Sequence, residues 1–193
     1  MAEQSGAKAL PDAAPARVDT RELSGSPPRK PFPILILAIS LPIVLLDQAT
    51  KLFVQAHMAL YQSIAVIPNY FDITYTLNPG AAFSMLADAP AWLRLAFLLS
   101  MSTIMSIVLL VLIVRSDRVN IYSLAFAIVL GGAVGNLIDR AMRSGHVIDF
   151  LRAHYYDLNY PIFNVADSAV TIGVTLIILA SFFGSDDAPK SLR

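Results

Sequence analysis

The chain contains no cysteine among its 193 residues. That excludes thiol nucleophiles, disulfides, thiolate metal sites and lipid anchors on cysteine. Charge is also scarce, at 15% of residues against about 25% in ordinary soluble domains. Lys+Arg and Asp+Glu each number 14, so there is no net charge. Without a basic excess to neutralise phosphates, a nucleic-acid binder is not expected. The three histidines, His57, His146 and His154, lack the spacing of a helical zinc site, and no metal or other cofactor is expected. What the chain has in abundance is apolar side chains, 56% of the total.

The scarce charge is unevenly placed. Residues 1–30 hold nine of the 28 charged residues and lack an apolar period, which reads as a disordered tail. A cleavable signal peptide is not expected there, because the apolar stretch begins only near Pro31. Four apolar runs follow, at about Pro33 to Val54, Leu95 to Val114, Val119 to Ile138 and Pro161 to Phe183. Each is long enough to cross a hydrocarbon core of roughly 30 Å. Composition and pattern therefore predict an all-α membrane protein of four spans.

Nine of the 14 basic residues lie in the tail, at Arg115 and Arg118, or at Lys190 and Arg193. Four spans put all three groups on one side, which the positive-inside rule makes cytoplasmic. Both termini are then cytoplasmic, with 185–193 a second short tail. The connection from Leu52 to Leu93 has no Lys or Arg and is expected outside. In the other outer connection, Arg140, Arg143 and Arg152 run against the rule, which points to a use other than orientation. Within the first connection, Phe71, Ile73, Tyr75 and Leu77 alternate with Asp72, Thr74 and Thr76, the pattern of a half-buried strand. Residues Ser63–Ile67 are expected to pair with it, Asn78-Pro79-Gly80 to break it, and Ala81 to Leu86 to form a short helix. A small sheet lying against the outer leaflet, between helices 1 and 2, results.

Ionisable side chains in or beside spans are costly and mark functional sites by default. Asp47, Asp139, Asp149 and Asp167 all fall at the outer ends of spans or just beyond. Asp47 and Lys51, spaced i, i+4, read as a neutralising pair that pins the helix, or else Lys51 is a base or substrate contact. Gly131 and Gly135 form a small-xxx-small pair for close helix approach. Asn136 and Asp139 share a face. Asp139 reads as a support for Arg140 or a neighbouring backbone, yet stands as a third acid candidate. Asp149 sits in Val147-Ile148-Asp149-Phe150, and Asp167 follows Asn164 by three. A hairpin between spans is able to bring Asp149 and Asp167 together, and juxtaposed carboxyls split their pKa values into an acid and a base. Two unrelated interfacial acids remain the alternative.

Five segments taken in order resemble the lipoprotein signal peptidases, also called signal peptidase II. They are Asp47-Gln48-Ala49-Thr50-Lys51, Asn78-Pro79-Gly80-Ala81-Ala82-Phe83, Gly131 to Arg140, Val147-Ile148-Asp149-Phe150, and Phe163-Asn164-Val165-Ala166-Asp167-Ser168. The resemblance implies a monomeric aspartic endopeptidase of the bacterial cytoplasmic membrane, formed by residues 31–184. Its substrates are diacylglyceryl-modified prolipoproteins, cut just before the lipidated cysteine, and membrane lipid is its other partner. It implies Asp149 and Asp167 as the catalytic pair. Asn78, Gly80, Asn136, Arg140 and Asn164 fall on positions that contact substrate or shape the site, with Asp47, Lys51 and Asp139 in support. The rival readings are a small proton-coupled transporter, a non-catalytic membrane assembly protein and a Ser/Lys peptidase using Lys51. A relay of acids for proton transport belongs near the mid-plane, whereas these cluster at one face.

Overall fold

The computed structural model describes residues 32–80 and 90–183. The expected tails and the expected helix Ala81 to Leu86 lie outside the described residues. Four helices are long and apolar enough to cross a bilayer: α1 (Phe32–His57), α2 (Ala91–Arg115), α3 (Ile121–Met142) and α4 (Val165–Phe182). Their outward faces carry large exposed side chains such as Leu45, Phe53, Ile104 and Phe182. Such surface is untenable in water and ordinary in lipid.

The helix ends differ from the hydropathy bounds for local reasons. The third apolar run stops at Ile138, but α3 continues through Asp139 and Arg140 to Met142, because those charged side chains face protein rather than lipid. The fourth run begins at Pro161, but α4 starts only at Val165. Asn164 caps it, its side chain accepting the Asp167 N–H, while residues before it bridge to the sheet through Leu151 and Phe163.

The central helix is α3. Its most apolar 18-residue stretch is 56% buried, against 17% in each of the other three helices. Glycines permit this closeness. A Cβ on Gly132 would stand 2.3 Å from the Ala166 carbonyl oxygen of α4, and one on Gly135 would stand 2.6 Å from the Asp47 carboxylate of α1. Within α1, Ile36–Ser40 is π-helical, and the Ser40 hydroxyl donates to the Ala127 carbonyl of α3 at 2.8 Å. An apolar core of Leu35, Leu109, Ile113, Tyr122 and Phe126 fills the bundle end away from the sheet.

The sheet has four antiparallel strands in the order β1 (Ser63–Ile67), β2 (Phe71–Asn78), β3 (Val147–Tyr155), β4 (Leu158–Asn159). The β1–β2 pairing agrees with the sequence reading. The connection between α3 and α4 supplies the other two strands, which the alternation rule missed. Val147, Ile148 and Phe150 form an apolar run buried on both faces, so no period-2 signal exists there. On β2 the polar side is no less shielded than the apolar one. Asp72 and Thr74 are buried, Asp72 against Arg152 and Thr74 against the Ser63 hydroxyl. Tyr75 packs with Val54, Ile148 and Phe150 beneath the sheet. This second core fixes the sheet on the ends of α1 and α4, and the acids lie beside it.

Candidate active site

Asp149 enters the site from the middle of β3, where its register opposite Thr76 sets its depth. It is 2% exposed, yet no cation among the described residues forms an ion pair with it. Its two carboxylate oxygens accept from neutral amides: Oδ1 from Asn164 Nδ2 at 2.7 Å and Oδ2 from Asn78 Nδ2 at 2.9 Å. Asn78 is held in turn by the Gly80 N–H, which donates to its Oδ1 at 2.9 Å. Gly80 has φ +91, and a Cβ there would lie 2.5 Å from Leu98, so this turn requires glycine twice over.

Asp167 enters from the first turn of α4. Asn164 and Asp167 form a reciprocal capping box, each side chain accepting the other's backbone N–H. Asp167 Oδ2 accepts from the Asn164 N–H at 3.2 Å, and Oδ1 accepts from Asn136 Nδ2 at 2.7 Å. One asparagine therefore touches both acids, Asp149 with its side-chain amide and Asp167 with its main chain. The connection between the adjacent spans α3 and α4 brings the acids to one asparagine, through a strand on one side and a helix cap on the other.

Beneath this pair lies a second charged cluster of opposite character. Lys51 Nζ donates to Asp47 Oδ2 at 2.8 Å, to Asp139 Oδ2 at 2.9 Å and to Asn136 Oδ1 at 3.0 Å. An ammonium has three N–H bonds, and all three are used. Asp139 is saturated as well: Oδ2 also accepts the Ile148 N–H at 3.0 Å, while Oδ1 takes Gln48 and the Arg143 guanidinium. Asp47 Oδ1 accepts the Ala166 N–H at 2.9 Å, which fastens α1 to the start of α4. Asp47, Lys51, Asp139 and Arg143 sum to zero charge. Asp139 holds the Ile148 backbone, as the sequence reading allowed, but its cationic neighbours are Arg143 and Lys51 rather than Arg140.

Arg140 points elsewhere. Its Nη1 donates to Ser102 Oγ at 3.3 Å, and its Nε is buried without a hydrogen-bond partner among the described residues. Its charge is felt by Asp167, Asp139 and Asp149. Sequence reasoning missed Gln48, Arg143 and Ser102 as parts of this region. The i, i+4 spacing of Asp139 and Arg143 was the available signal for one of them.

These contacts set the proton affinity of Asp149. Burial pushes its carboxyl from 3.8 up to about 6, against the lowering effect of the Asn78 hydrogen bond. The negative charge of Asp167 pushes the same way as burial. Asp149 thus keeps its proton to a higher pH than a free aspartate does. One protonated and one ionised carboxyl side by side are an acid and a base. A groove of about 290 Å³ opens at Asp167, walled by Tyr160, Phe163, Ser168, Thr171 and Ile172. Among the described residues, no group of three or more His, Asp or Glu comes together as a metal site.

Comparison with known proteins gives the family. Residues 39–183 match the family model described as signal peptidase (SPase) II. A lipoprotein signal peptidase of Pseudomonas putida is 46% identical over 148 residues, which cover 76% of this chain and 85% of that protein. One from Yersinia enterocolitica is 42% identical over 147 residues, covering 76% and 85%. A bacterial membrane enzyme solved by the in meso method at 1.9 Å superposes with a TM-score of 0.70 at 33% identity, covering 83% of this chain and all of that one. A second such structure, at 2.3 Å, gives 0.67 at 33% identity, covering 80% and 91%. The chain belongs to the signal peptidase II family and is a peptidase.

Proposed function

We propose that this multi-pass protein of the bacterial inner membrane removes signal peptides from diacylglyceryl-modified prolipoproteins, cutting just before the lipidated cysteine. The observation that carries the reading is the Asn164 bridge between a buried acid and a half-buried one, neither of which forms an ion pair among the described residues. The relatives named lipoprotein signal peptidase supply the substrate class.

In the reaction, ionised Asp167 takes a proton from a water held between the two carboxyls. That water attacks the scissile carbonyl, and Asp149 passes its proton to the developing oxyanion or the leaving amine. Asn78 and Asn164 hold Asp149 in register, Asn136 and Asn164 hold Asp167, and Gly80 fixes Asn78. Arg140 offers its unsatisfied Nε to a substrate carbonyl. Asp47, Lys51 and Asp139 are supports: they carry the backbone of Ile148 and Ala166, each next to a catalytic acid. The signal peptide lies in the groove beside Asp167, against Tyr160, Phe163 and Ile172. Residues 31–184 form the catalytic unit, monomeric, with cytoplasmic tails 1–30 and 185–193 and the acids near the outer face.

The test uses purified protein and a diacylglycerylated prolipoprotein in detergent. Asp149→Asn and Asp167→Asn are each expected to abolish cleavage in a folded, inserted protein. Cleavage retained by either variant would remove that residue from the catalytic pair.

A further inference from the structure

The sheet leaves one edge unfinished beside the site. Among the described residues, Tyr75 is the last residue of β2 that bonds to the chain before it. Its N–H donates to the Gln62 carbonyl at 3.0 Å, and its carbonyl accepts the Tyr61 N–H at 2.8 Å. Backbone groups alternate sides along a strand, so those of Leu77 point the same way as those of Tyr75. The β3 side agrees. Leu77 lies opposite Ile148, whose N–H goes to Asp139 Oδ2 and whose carbonyl accepts from Asn164 Nδ2, so this is a non-hydrogen-bonded pair. The Leu77 N–H and C=O thus have no partner among the described residues.

The chain that would have covered them turns away. Ala59 to Gln62 form a turn, closed by the Gln62 N–H on the Ala59 carbonyl at 2.9 Å, with Tyr61 at φ 65. Leu77 is half-buried, where an unmet donor and acceptor are costly, and an open strand edge is a template for another extended chain. The open pair also borders the proposed acid. Thr76, just before Leu77, is the register partner of Asp149, and Asn78, just after it, donates to Asp149 Oδ2. Adjacent strands are about 4.8 Å apart, so a chain added at Leu77 lies about 10 Å from the β3 backbone. The Asp149 side chain already spans part of that gap toward Asn78. One or two extended residues, at about 3.3 Å each, cover the remainder.

We infer that the substrate adds a short strand here, one residue after the cut exchanging two main-chain hydrogen bonds with Leu77. The inference rests on the proposed function and deepens it. The signal peptide takes the groove at Asp167, and the opposite flank, at Asp149, takes the chain that follows the cut. Pairing through the main chain holds that segment in place without selecting its side chains.

The experiment uses the purified full-length protein and diacylated lipopeptides of one sequence. Each carries a single backbone N-methyl group, on the third residue before the cut or on the second or third residue after it, the cysteine counting as the first. With wild type, one of the two positions after the cut is expected to raise KM about tenfold, the size of one main-chain hydrogen bond lost, with kcat little changed. The position before the cut is expected to have a smaller effect. On the enzyme side, Leu77→Pro deletes the open N–H without removing a bond of the β2–β3 ladder, whereas Leu77→Ala loses the side chain and keeps the N–H. The KM of the proline variant for the unmethylated peptide is expected to exceed that of the alanine variant at least about tenfold. The N-methyl penalty should also shrink in Leu77→Pro, because the two bonds belong to one pairing. Equal KM values for the two variants overturn the inference, as does an undiminished N-methyl penalty in Leu77→Pro. If Leu77→Pro does not fold, the wild-type series decides: equal penalties at all three positions, or none after the cut, overturn it. A wild type that fails to cleave even the unmethylated lipopeptide overturns the proposed function itself.

Discussion

Two groups of acids are joined through Asn136, which accepts from Lys51 and donates to Asp167, and they differ in what touches them. Asp47 and Asp139 meet Lys51 and Arg143, and each of their carboxylate oxygens accepts at least one hydrogen bond. Among the described residues, Asp149 and Asp167 accept only from side-chain amides and one backbone N–H. Asp167 is the most open of the four. The difference is in the partners: the first pair lies against cations, while the second is held by neutral amides. The lower group holds backbone in place, and the upper group is the one proposed to supply the acid and the base.

The largest effect that would break this contrast is on the rate. Asp149→Asn and Asp167→Asn should each reduce kcat by at least about 10³-fold, the scale of losing an essential acid or base, measured by prolipoprotein cleavage. Asp139→Asn should instead lower stability or substrate binding. A stable, substrate-binding but inert Asp139→Asn protein would erase the distinction between the groups.

Next in size is the lower group. Lys51→Met leaves two carboxylates buried without their shared cation, and a loss of about 3–5 kcal/mol is expected in SDS unfolding. Stability within 1 kcal/mol of wild type would contradict the reading of a charge-balanced support.

A smaller change of opposite sign is expected at Asp149. Its folded-state pKa is raised to about 6 from 3.8, so the ionised form is disfavoured by folding. The penalty is fully present above about 6 and is relieved as pH falls toward 4. Asp149→Asn should therefore be more stable than wild type at pH 8, by about 1–2 kcal/mol after allowing for one mismatched amide contact. The gap should close by about pH 4. A variant less stable than wild type at pH 8 would argue that Asp149 is a structural acid like those below it.

The same titration bears on rate. Loss of the Asp149 proton removes the acid, so kcat/KM should fall as pH rises above about 6. A profile that is flat from 5 to 8 would reassign the acid. The smallest effect concerns Arg140. Arg140→Gln should raise KM by about two- to tenfold with stability changed by less than about 1 kcal/mol, since among the described residues Arg140 has one long hydrogen bond to lose.

The spans were legible because lipid demands long apolar runs, and no other environment tolerates them. The β1–β2 hairpin was legible because Phe71 to Leu77 alternates. Strand β3 was not, since Val147, Ile148 and Phe150 are buried on both faces and leave no alternation to read. Asp149 and Asp167 stood out as acids in apolar company, but their pairing depends on where Asn164 sits, and that is set by tertiary contacts. Asn164 looked like a neighbour three residues from Asp167 on one helical face. It is the cap that ends the loop and begins the helix. The sorting of Asp139 from the other acids likewise needed the position of Lys51, which arrives from a helix some ninety residues earlier in the chain.

The capping box at the head of α4 has a consequence for motion. A helix ordinarily frays from its ends, where amides open most readily and exchange with solvent fastest. Here the first turn is gripped from outside by Asp47 on the Ala166 N–H, by Asn136 on the Asp167 carboxylate and by Asp149 on the Asn164 amide. Protection against amide exchange should thus run backward along α4, strongest at its first turn and weaker toward Phe182. The proposed chemistry is mounted at a helix end that its neighbours hold shut.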